Sequence, residues 1–234
     1  MIEGLPPYVS PIFIATTFLT VGFLFYAVKR ASADNLPGRS VLFSTPFWML
    51  FTGVLALGGF YQVTDVFPPR IGTAGAFPAI LFGVALTIFF SKNFVNKLPL
   101  TVLTLLHVIR IPVELVLYSL AHSGSIPTAM TFEGTNLDIL SGLTAPFIYW
   151  LAFRNGKTNR PLLIAWNSVA LLLLINVVTI AIRAFPSPMQ QIAFDQPNRA
   201  VMYFPFIWLP AVVVPIVFFA HIASLRQLFS RQTA

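Results

Sequence analysis

The sequence is poor in the residues that a water-facing or redox-active protein needs. Charged residues make up 9% of its 234 positions, whereas a typical soluble domain carries about 25%. It has no cysteine, which excludes disulfides, thiolate metal sites and cysteine nucleophiles. Because 57% of the residues are hydrophobic, the chain cannot cover itself with a water-facing surface. We therefore expect an all-α integral membrane protein with the lipid bilayer as its main partner.

Common catalytic motifs are also absent. The sequence contains no P-loop, no glycine-rich dinucleotide fingerprint, no HExxH and no GxSxG. An enzyme would therefore need a site assembled from separate helices. The formal net charge of +7 does not indicate nucleic-acid binding, because the basic residues stand singly at the ends of apolar runs.

Apolar runs of membrane-spanning length, roughly 20 residues, follow one another along the chain. They predict a single transmembrane domain over residues 1–234, built as a seven-helix bundle. The predicted spans cover about 8–30, 39–61, 75–92, 98–122, 137–154, 161–184 and 201–226.

The basic residues indicate which ends of these spans face the cytoplasm. Three of them lie in the loops on one side of the predicted spans and ten in the loops on the other side. The side with more basic residues is expected to face the cytoplasm. The acids Glu3, Asp65, Glu133, Asp138 and Asp195 all fall on the poorer side. The pattern predicts an outer N-terminus and a cytoplasmic C-terminus in a bacterial-type inner membrane. The inner set is Lys29, Arg30, Arg39, Lys92, Lys97, Arg154, Lys157, Arg160, Arg226 and Arg231, and the outer set is Arg70, Arg183 and Arg199.

Spans one to three and five to seven have similar ends. DVFPP and RAFPSP close the second and sixth spans, and FPAILFGVALTIFF and LPAVVVPIVFFAHI lie in the third and seventh. The similarity predicts a 3+1+3 parallel repeat, with chance likeness of apolar helices as the alternative. The layout resembles that of sugar facilitators and opsins, but the motifs do not. The last span has no lysine for a retinal Schiff base, and it has only His221 where zinc hydrolases resembling the adiponectin receptors carry two histidines.

The fourth span carries ionisable residues that a membrane interior disfavours. His107, Arg110 and Glu114 stand at i, i+3 and i+7 and share one helical face, which Tyr118 continues. Arg110 is expected roughly 18 Å deep, where an unpaired charge costs at least about 2.5–3.5 kcal/mol. Arg110 and Glu114 can neutralise each other, and Pro112 should free the carbonyl of Val108. The face is either a functional site or a structural ion pair that fixes the helix packing.

Other polar residues are predicted beside this face. His221 in the last span lies at a similar depth to His107, so the two histidines are candidate ligands for a metal or a haem, or else packing residues. Asn167 and Asn176 in the sixth span either line the same site or join helices. Pro205, Pro210 and Pro215 predict a kinked last helix.

Two predicted outer loops are rich in oxygen-bearing side chains. These groups suit a hard cation, but they also suit helix caps and a clasp between Arg199 and an acid. The residues concerned are Glu133, Asn136, Asp138, Asp195, Gln196, Asn198 and Arg199.

These features favour a transporter for a small solute, coupled to protons through Glu114 or His107, with Arg110 attracting an anionic group. The alternatives are a membrane-embedded enzyme, metal- or haem-assisted, and a non-catalytic sensor or assembly subunit with a partner chain. The sequence names no cofactor, no substrate and no oligomeric state.

Overall fold

The computed structural model describes residue 2, residues 4–32 and residues 34–230, and every regular element in these ranges is helical. The helices are α1 (Val9–Ser32), α2 (Leu36–Leu57), α3 (Phe77–Phe89), α4 (Leu100–Leu106), α5 (Arg110–His122), α6 (Ile139–Phe153), α7 (Arg160–Arg183) and α8 (Val214–Ser230). The predicted positions of Glu3 and Arg231 lie outside the described residues.

Short turns of other helical types join these elements. Turns of π-helix, Gly72–Ala76 and Leu209–Val213, precede α3 and α8. The 3-10 turns are Phe60–Gln62, Val95–Lys97, His107–Ile109, Thr128–Met130, Arg154–Gly156 and Ala200–Met202.

The described residues contain six helical stretches that are long and apolar enough to cross a membrane. They identify the chain as a helical multi-pass membrane protein. The helix α6 is apolar but has only 15 residues, so it is about 22 Å long and shorter than the roughly 30 Å hydrocarbon core. The six stretches are Val9–Ala31, Leu36–Leu57, Gly72–Phe89, Leu100–His122, Arg160–Arg183 and Leu209–Ser230.

Two of these stretches form the centre of the bundle. In Leu100–His122 and Leu209–Ser230, 61% and 67% of the most apolar window is buried, against 17% in Gly72–Phe89. The polar face predicted on the fourth span therefore lies in the interior. Around it, α1 packs on α2, α4 and α5, while α8 packs on α3, α4 and α7.

The last helix begins later than the sequence predicted. The predicted span starts at residue 201, whereas the chain from Ala200 to Ile207 forms a 3-10 turn and irregular turns, and the π turn starts at Leu209. Pro205 and Pro210 explain the difference, because neither has a backbone N–H to continue an α-helical ladder. The irregular stretch is nevertheless buried, with Phe206 and Ile207 at most 2% exposed.

Candidate functional site

The central helix is interrupted beside its charged residues. α4 and α5 are joined by the 3-10 turn His107–Ile109, one turn before Pro112. Proline removes the hydrogen bond that the Val108 carbonyl would accept and crowds the preceding turn, which favours a local 3-10 conformation. This turn packs against α6, so the interruption lies at the centre of the polar region.

Arg110 pairs with a residue from the predicted outer loop rather than with Glu114. Its Nη1 lies 3.1 Å from Asp138 Oδ1 and donates to the Ala170 carbonyl at 3.2 Å. No ion pair joins Arg110 to Glu114 among the described residues. Asp138 stands at the start of α6 without capping it through its side chain, so its carboxylate serves the ion pair instead of the predicted helix cap.

Glu114 is bound by Asn136, a second residue of the same loop. Asn136 Nδ2 donates to Glu114 Oε1 at 2.5 Å and to the Met130 carbonyl at 2.9 Å. Asn136 Oδ1 accepts from the Asp138 backbone N–H at 3.0 Å. One amide therefore positions both carboxylates. We call Arg110, Glu114, Asn136 and Asp138 the charge cluster; none of the four is more than 5% exposed.

The loop that supplies Asn136 and Asp138 folds into the bundle. We call residues 123–138 the cap loop; Ile126, Met130 and Thr131 within it are at most 1% exposed. Gly134 allows the loop to close, since a Cβ there would overlap the Thr128 carbonyl oxygen and lie 2.6 Å from the Ala129 Cα.

Close helix packing also brings Asp138 to Arg110. A Cβ on Gly142 would lie 3.0 Å from the Ile111 backbone nitrogen and 3.3 Å from the Arg110 Cβ. The absence of a side chain at Gly142 therefore lets α6 approach α5. Because α6 is short, its first residues lie level with the charged part of α5 instead of above it.

The two predicted histidines meet beside the charge cluster, on its side away from the cap loop. The rings of His107 and His221 stack with centroids 4.0 Å apart and an interplanar angle of 20°, and the edge of Trp166 meets His107 at 5.3 Å. We call His107 and His221 the histidine pair; both are fully buried.

Asn167 fixes the tautomer of His221. Its Nδ2 donates to the Leu163 carbonyl at 2.9 Å, which leaves its Oδ1 to accept from His221 Nδ1 at 2.9 Å. In the neutral ring the proton is therefore on Nδ1, and Nε2 carries a free lone pair.

The histidine pair does not fit two axial ligands of one haem. Stacked rings direct their nitrogen lone pairs sideways within parallel planes rather than toward a shared iron atom. Among the described residues no group of three His, Cys, Asp or Glu side chains could hold a metal ion.

Several buried polar atoms of these groups have no hydrogen-bond partner in the described part of the chain. They are Arg110 Nε and Nη2, Glu114 Oε2, both ring nitrogens of His107, His221 Nε2 and Ser141 Oγ. Asp138 Oδ1 also accepts no hydrogen bond, although it is ion-paired with Arg110. Native proteins pair nearly all such atoms. So many unpaired polar atoms close together mark the region around the His107–Ile109 turn as the candidate functional site.

The remaining predicted residues lie outside this site. Tyr118 is half-buried and stacks on Phe132 and His122. Asn176 is exposed and donates to the Thr135 carbonyl at 3.0 Å, tying α7 to the cap loop. Glu133 is exposed, 3.9 Å from His122 Nε2. These three residues lie at the cap-loop end of the bundle and do not join the charge cluster.

The second predicted outer loop is joined to the cap loop by Gln196 and by backbone hydrogen bonds to the Ser125 carbonyl rather than by an ion pair. Gln196 Nε2 donates to the Ala121 and Ile126 carbonyls, and Asn198 Nδ2 donates to Ala181 O. Asp195 and Arg199 are exposed, and Arg199 forms no ion pair within the described ranges. The expected clasp through Arg199 is thus replaced by Gln196.

Sequence comparison places the chain in a family. The family described as "Domain of unknown function (DUF8737)" matches residues 68–229, which is more than half of the chain. The chain belongs to this family. No curated protein and no solved structure matches it. The matched range includes the whole charge cluster and the histidine pair but neither α1 nor α2.

Proposed function

We propose that this protein is a proton-coupled transporter of a small solute, and that its proton-binding site is the charge cluster. One observation carries the proposal: a single guanidinium stands against two carboxylates, Glu114 and Asp138, in a place where none is more than 5% exposed. If both carboxylates were ionised, one negative charge would remain uncompensated. That charge would cost at least about 2.5–3.5 kcal/mol in a membrane interior, so the stable state of the cluster contains one added proton.

Glu114 is the carboxylate that best accommodates this proton. Asp138 faces Arg110 at 3.1 Å, which favours its ionised form. Glu114 receives only the Asn136 amide on Oε1, and its Oε2 is buried without a partner. Because Asp138 already engages Arg110, a proton fits the cluster better than the anionic solute that the sequence suggested for Arg110.

The histidine pair provides a second proton-binding position. Seven residues of helix, about 10 Å, separate His107 from Glu114. His221 Nε2 and, in the neutral ring, one of the two nitrogens of His107 carry lone pairs that are free to accept a proton. The 3-10 turn His107–Ile109 lies between the two positions. A bend at this turn would change which end of the bundle each position faces, as alternating access requires.

The proposal includes seven spans, with α6 and its preceding loop as the fifth, an outer N-terminus and a cytoplasmic C-terminus in a plasma membrane. The end of α1, the turn before α4 and the end of α8 surround one cavity, and the cap loop contacts the 196–200 loop. These contacts support alternating helix directions. The 3+1+3 repeat and a partner chain remain part of the hypothesis.

Transport can be tested in proteoliposomes with an imposed pH gradient. A mixture of small solutes would be offered outside, and the vesicle contents would be analysed by mass spectrometry. We expect gradient-dependent accumulation that Glu114→Gln abolishes. Glu133→Gln is the matched control, because it removes an exposed carboxylate from the cap loop without touching the cluster.

Infrared difference spectroscopy across a pH step separates the proton site from transport. We expect a protonated-carboxyl band that Glu114→Gln removes and Glu133→Gln keeps. If Glu114→Gln kept both the band and the accumulation, the proposed site would be refuted. If the band vanished while no solute accumulated in any variant, the cluster would bind a proton in a protein that is not a transporter.

A further inference from the structure

A second site is built at the opposite end of the bundle from the cap loop. A cavity of about 480 Å³ opens there between the end of α1, the turn before α4, the joint after α6 and the end of α8. Its size falls within the roughly 300–1,000 Å³ of small-molecule pockets. Among the described residues, its wall carries Arg30 and Lys97 and no acidic residue. The cavity is independent of the charge cluster and its proton.

Arg30 is held so that part of its guanidinium remains available. Its Nε and Nη2 both donate to the Tyr26 hydroxyl, at 3.2 and 3.0 Å, and its guanidinium lies 5.3 Å from the Tyr26 ring centroid. Nη1 has no partner among the described residues. An arginine fixed in this way binds an oxyanion without first losing its side-chain freedom.

Lys97 lies on a turn that the interior of the protein fixes. Gln227 Nε2 donates to the Val95 carbonyl at 2.8 Å and to the Leu98 carbonyl at 3.0 Å. Gln227 is 1% exposed, so a buried amide on α8 sets the position of the turn. The cavity also contains the Thr158 hydroxyl and the Asn96 amide, whose Oδ1 is buried without a partner. The Thr158 hydroxyl is exposed and is therefore the group that can bond a ligand hydroxyl.

Nearby aromatic residues place the cavity at the boundary between membrane and water. Tyr26 and Trp150 are 49% and 61% exposed, and each supports an arginine over its ring, Arg30 and Arg154. Exposed tyrosine and tryptophan with adjacent basic residues are typical of the headgroup level of a bilayer. Phe153, which is half-buried, adds apolar surface beside the two cations.

From this geometry we propose that the cavity binds the phosphate of an anionic phospholipid with a hydroxyl-bearing headgroup. The phosphate contacts Arg30 and Lys97, a headgroup hydroxyl bonds to the Thr158 hydroxyl, and the acyl chains leave past Phe153. Phosphatidylglycerol has this chemistry and is the probe we would use.

Native mass spectrometry of the detergent-purified full chain tests the proposal. We expect wild type to retain phosphatidylglycerol in preference to phosphatidylcholine, and Lys97→Gln and Arg30→Gln each to lower its affinity at least about tenfold, the loss expected for one charged hydrogen bond. The matched control is Lys92→Gln, which removes an exposed lysine near the same turn that does not line the cavity.

Three other results would overturn the proposal. Equal losses in Lys92→Gln and Lys97→Gln would show a diffuse basic surface instead of a site. Equal retention of phosphatidylglycerol and phosphatidylcholine would exclude recognition of charge. Binding of glycerol 3-phosphate or inorganic phosphate that depends on Lys97, without binding of phosphatidylglycerol, would assign the cavity to a soluble phosphate and exclude the lipid. Thermal unfolding midpoints of the variants would verify that each is folded.

Discussion

Proline interrupts the helical hydrogen-bond ladder in two parts of the core. The two parts differ in whether their buried polar atoms have hydrogen-bond partners. In α8, Pro215 cannot donate to the Ala211 carbonyl, and the Trp48 indole Nε1 donates to that carbonyl instead, at 3.1 Å. In the other direction, Trp208 Nε1 in the α8 region donates to the Met49 carbonyl of α2 at 3.0 Å. Around Pro112 in α5, by contrast, polar atoms of Arg110, Glu114 and His107 are buried without partners in the described chain.

The contrast shows that an irregular helix does not by itself make a functional site. The tryptophan contacts between α2 and α8 satisfy the carbonyl that proline releases, and the adjacent cavity of about 250 Å³ is mostly apolar. That region is explained by packing and by ordinary hydrogen bonds. The region around α5 brings together an excess of carboxylate over guanidinium and free histidine nitrogens. Only the second arrangement needs a proton to become neutral.

The largest expected effect comes from removing the cation of the charge cluster. Arg110→Gln leaves the ionised Asp138 without its counter-ion, and breaking a buried ion pair typically costs about 3–5 kcal/mol. We expect a marked fall in the unfolding temperature in lipid nanodiscs. Arg110→Lys keeps the positive charge and should lose much less. Equal stability of wild type and Arg110→Gln would mean that the cluster holds no ionised carboxylate.

A smaller effect on stability is expected from the tryptophan contacts between α2 and α8. Trp48→Phe keeps most of the ring volume but leaves the Ala211 carbonyl without a donor, which typically costs about 1–3 kcal/mol. Trp208→Phe should cost only about 0.5–1.5 kcal/mol, because Met49 O also accepts from Thr52 Oγ1 and lies within the α2 ladder. Comparing the unfolding temperatures of the two variants checks this order. The reverse order would show that Pro215 does not leave Ala211 dependent on Trp48.

The periodicity of the fourth span was sufficient to predict its buried polar face. Three ionisable residues at i, i+3 and i+7 in an apolar helix share one side, and a membrane interior forces that side inward. His107, Arg110 and Glu114 are all buried. The similar depths of His107 and His221 also predicted their proximity, since residues at nearly the same depth in neighbouring central helices are able to meet.

The partners of Arg110 and Glu114 could not be read from helix periodicity. Asn136 and Asp138 lie more than twenty positions along the chain, in a segment whose charge suggested a water-facing loop. The available signal was length: the fifth apolar run is short for a span, and α6 has 15 residues. A short helix starts below the membrane surface, so residues just before it lie at the depth of the charges. For Asn176 the sequence suggested a place inside the bundle, whereas the side chain is exposed. An asparagine in an apolar helix can also face outward and donate to a loop, as Asn176 does to the Thr135 carbonyl.

The smallest expected effects distinguish two glycines at helix contacts, one in each region. At Gly142 in α6 a methyl group would lie 2.9 Å from Ile111 Cγ1 and 3.0 Å from its backbone nitrogen, so Gly142→Ala must separate α6 from α5. Overpacking typically costs about 1–3 kcal/mol, against a gain of about 1 kcal/mol in helix propensity.

At Gly83 in α3 the nearest atoms, Phe219 Cβ and Cδ2, are 3.4 Å away, an ordinary contact, so Gly83→Ala should keep most of the propensity gain. We therefore expect Gly142→Ala to unfold at a lower temperature than Gly83→Ala and to shift the protonated-carboxyl band, because Asp138 moves away from Arg110 and the two carboxyl groups then share the added proton differently. If Gly142→Ala were as stable as Gly83→Ala with an unchanged band, the approach of α6 would not determine the geometry of the cluster.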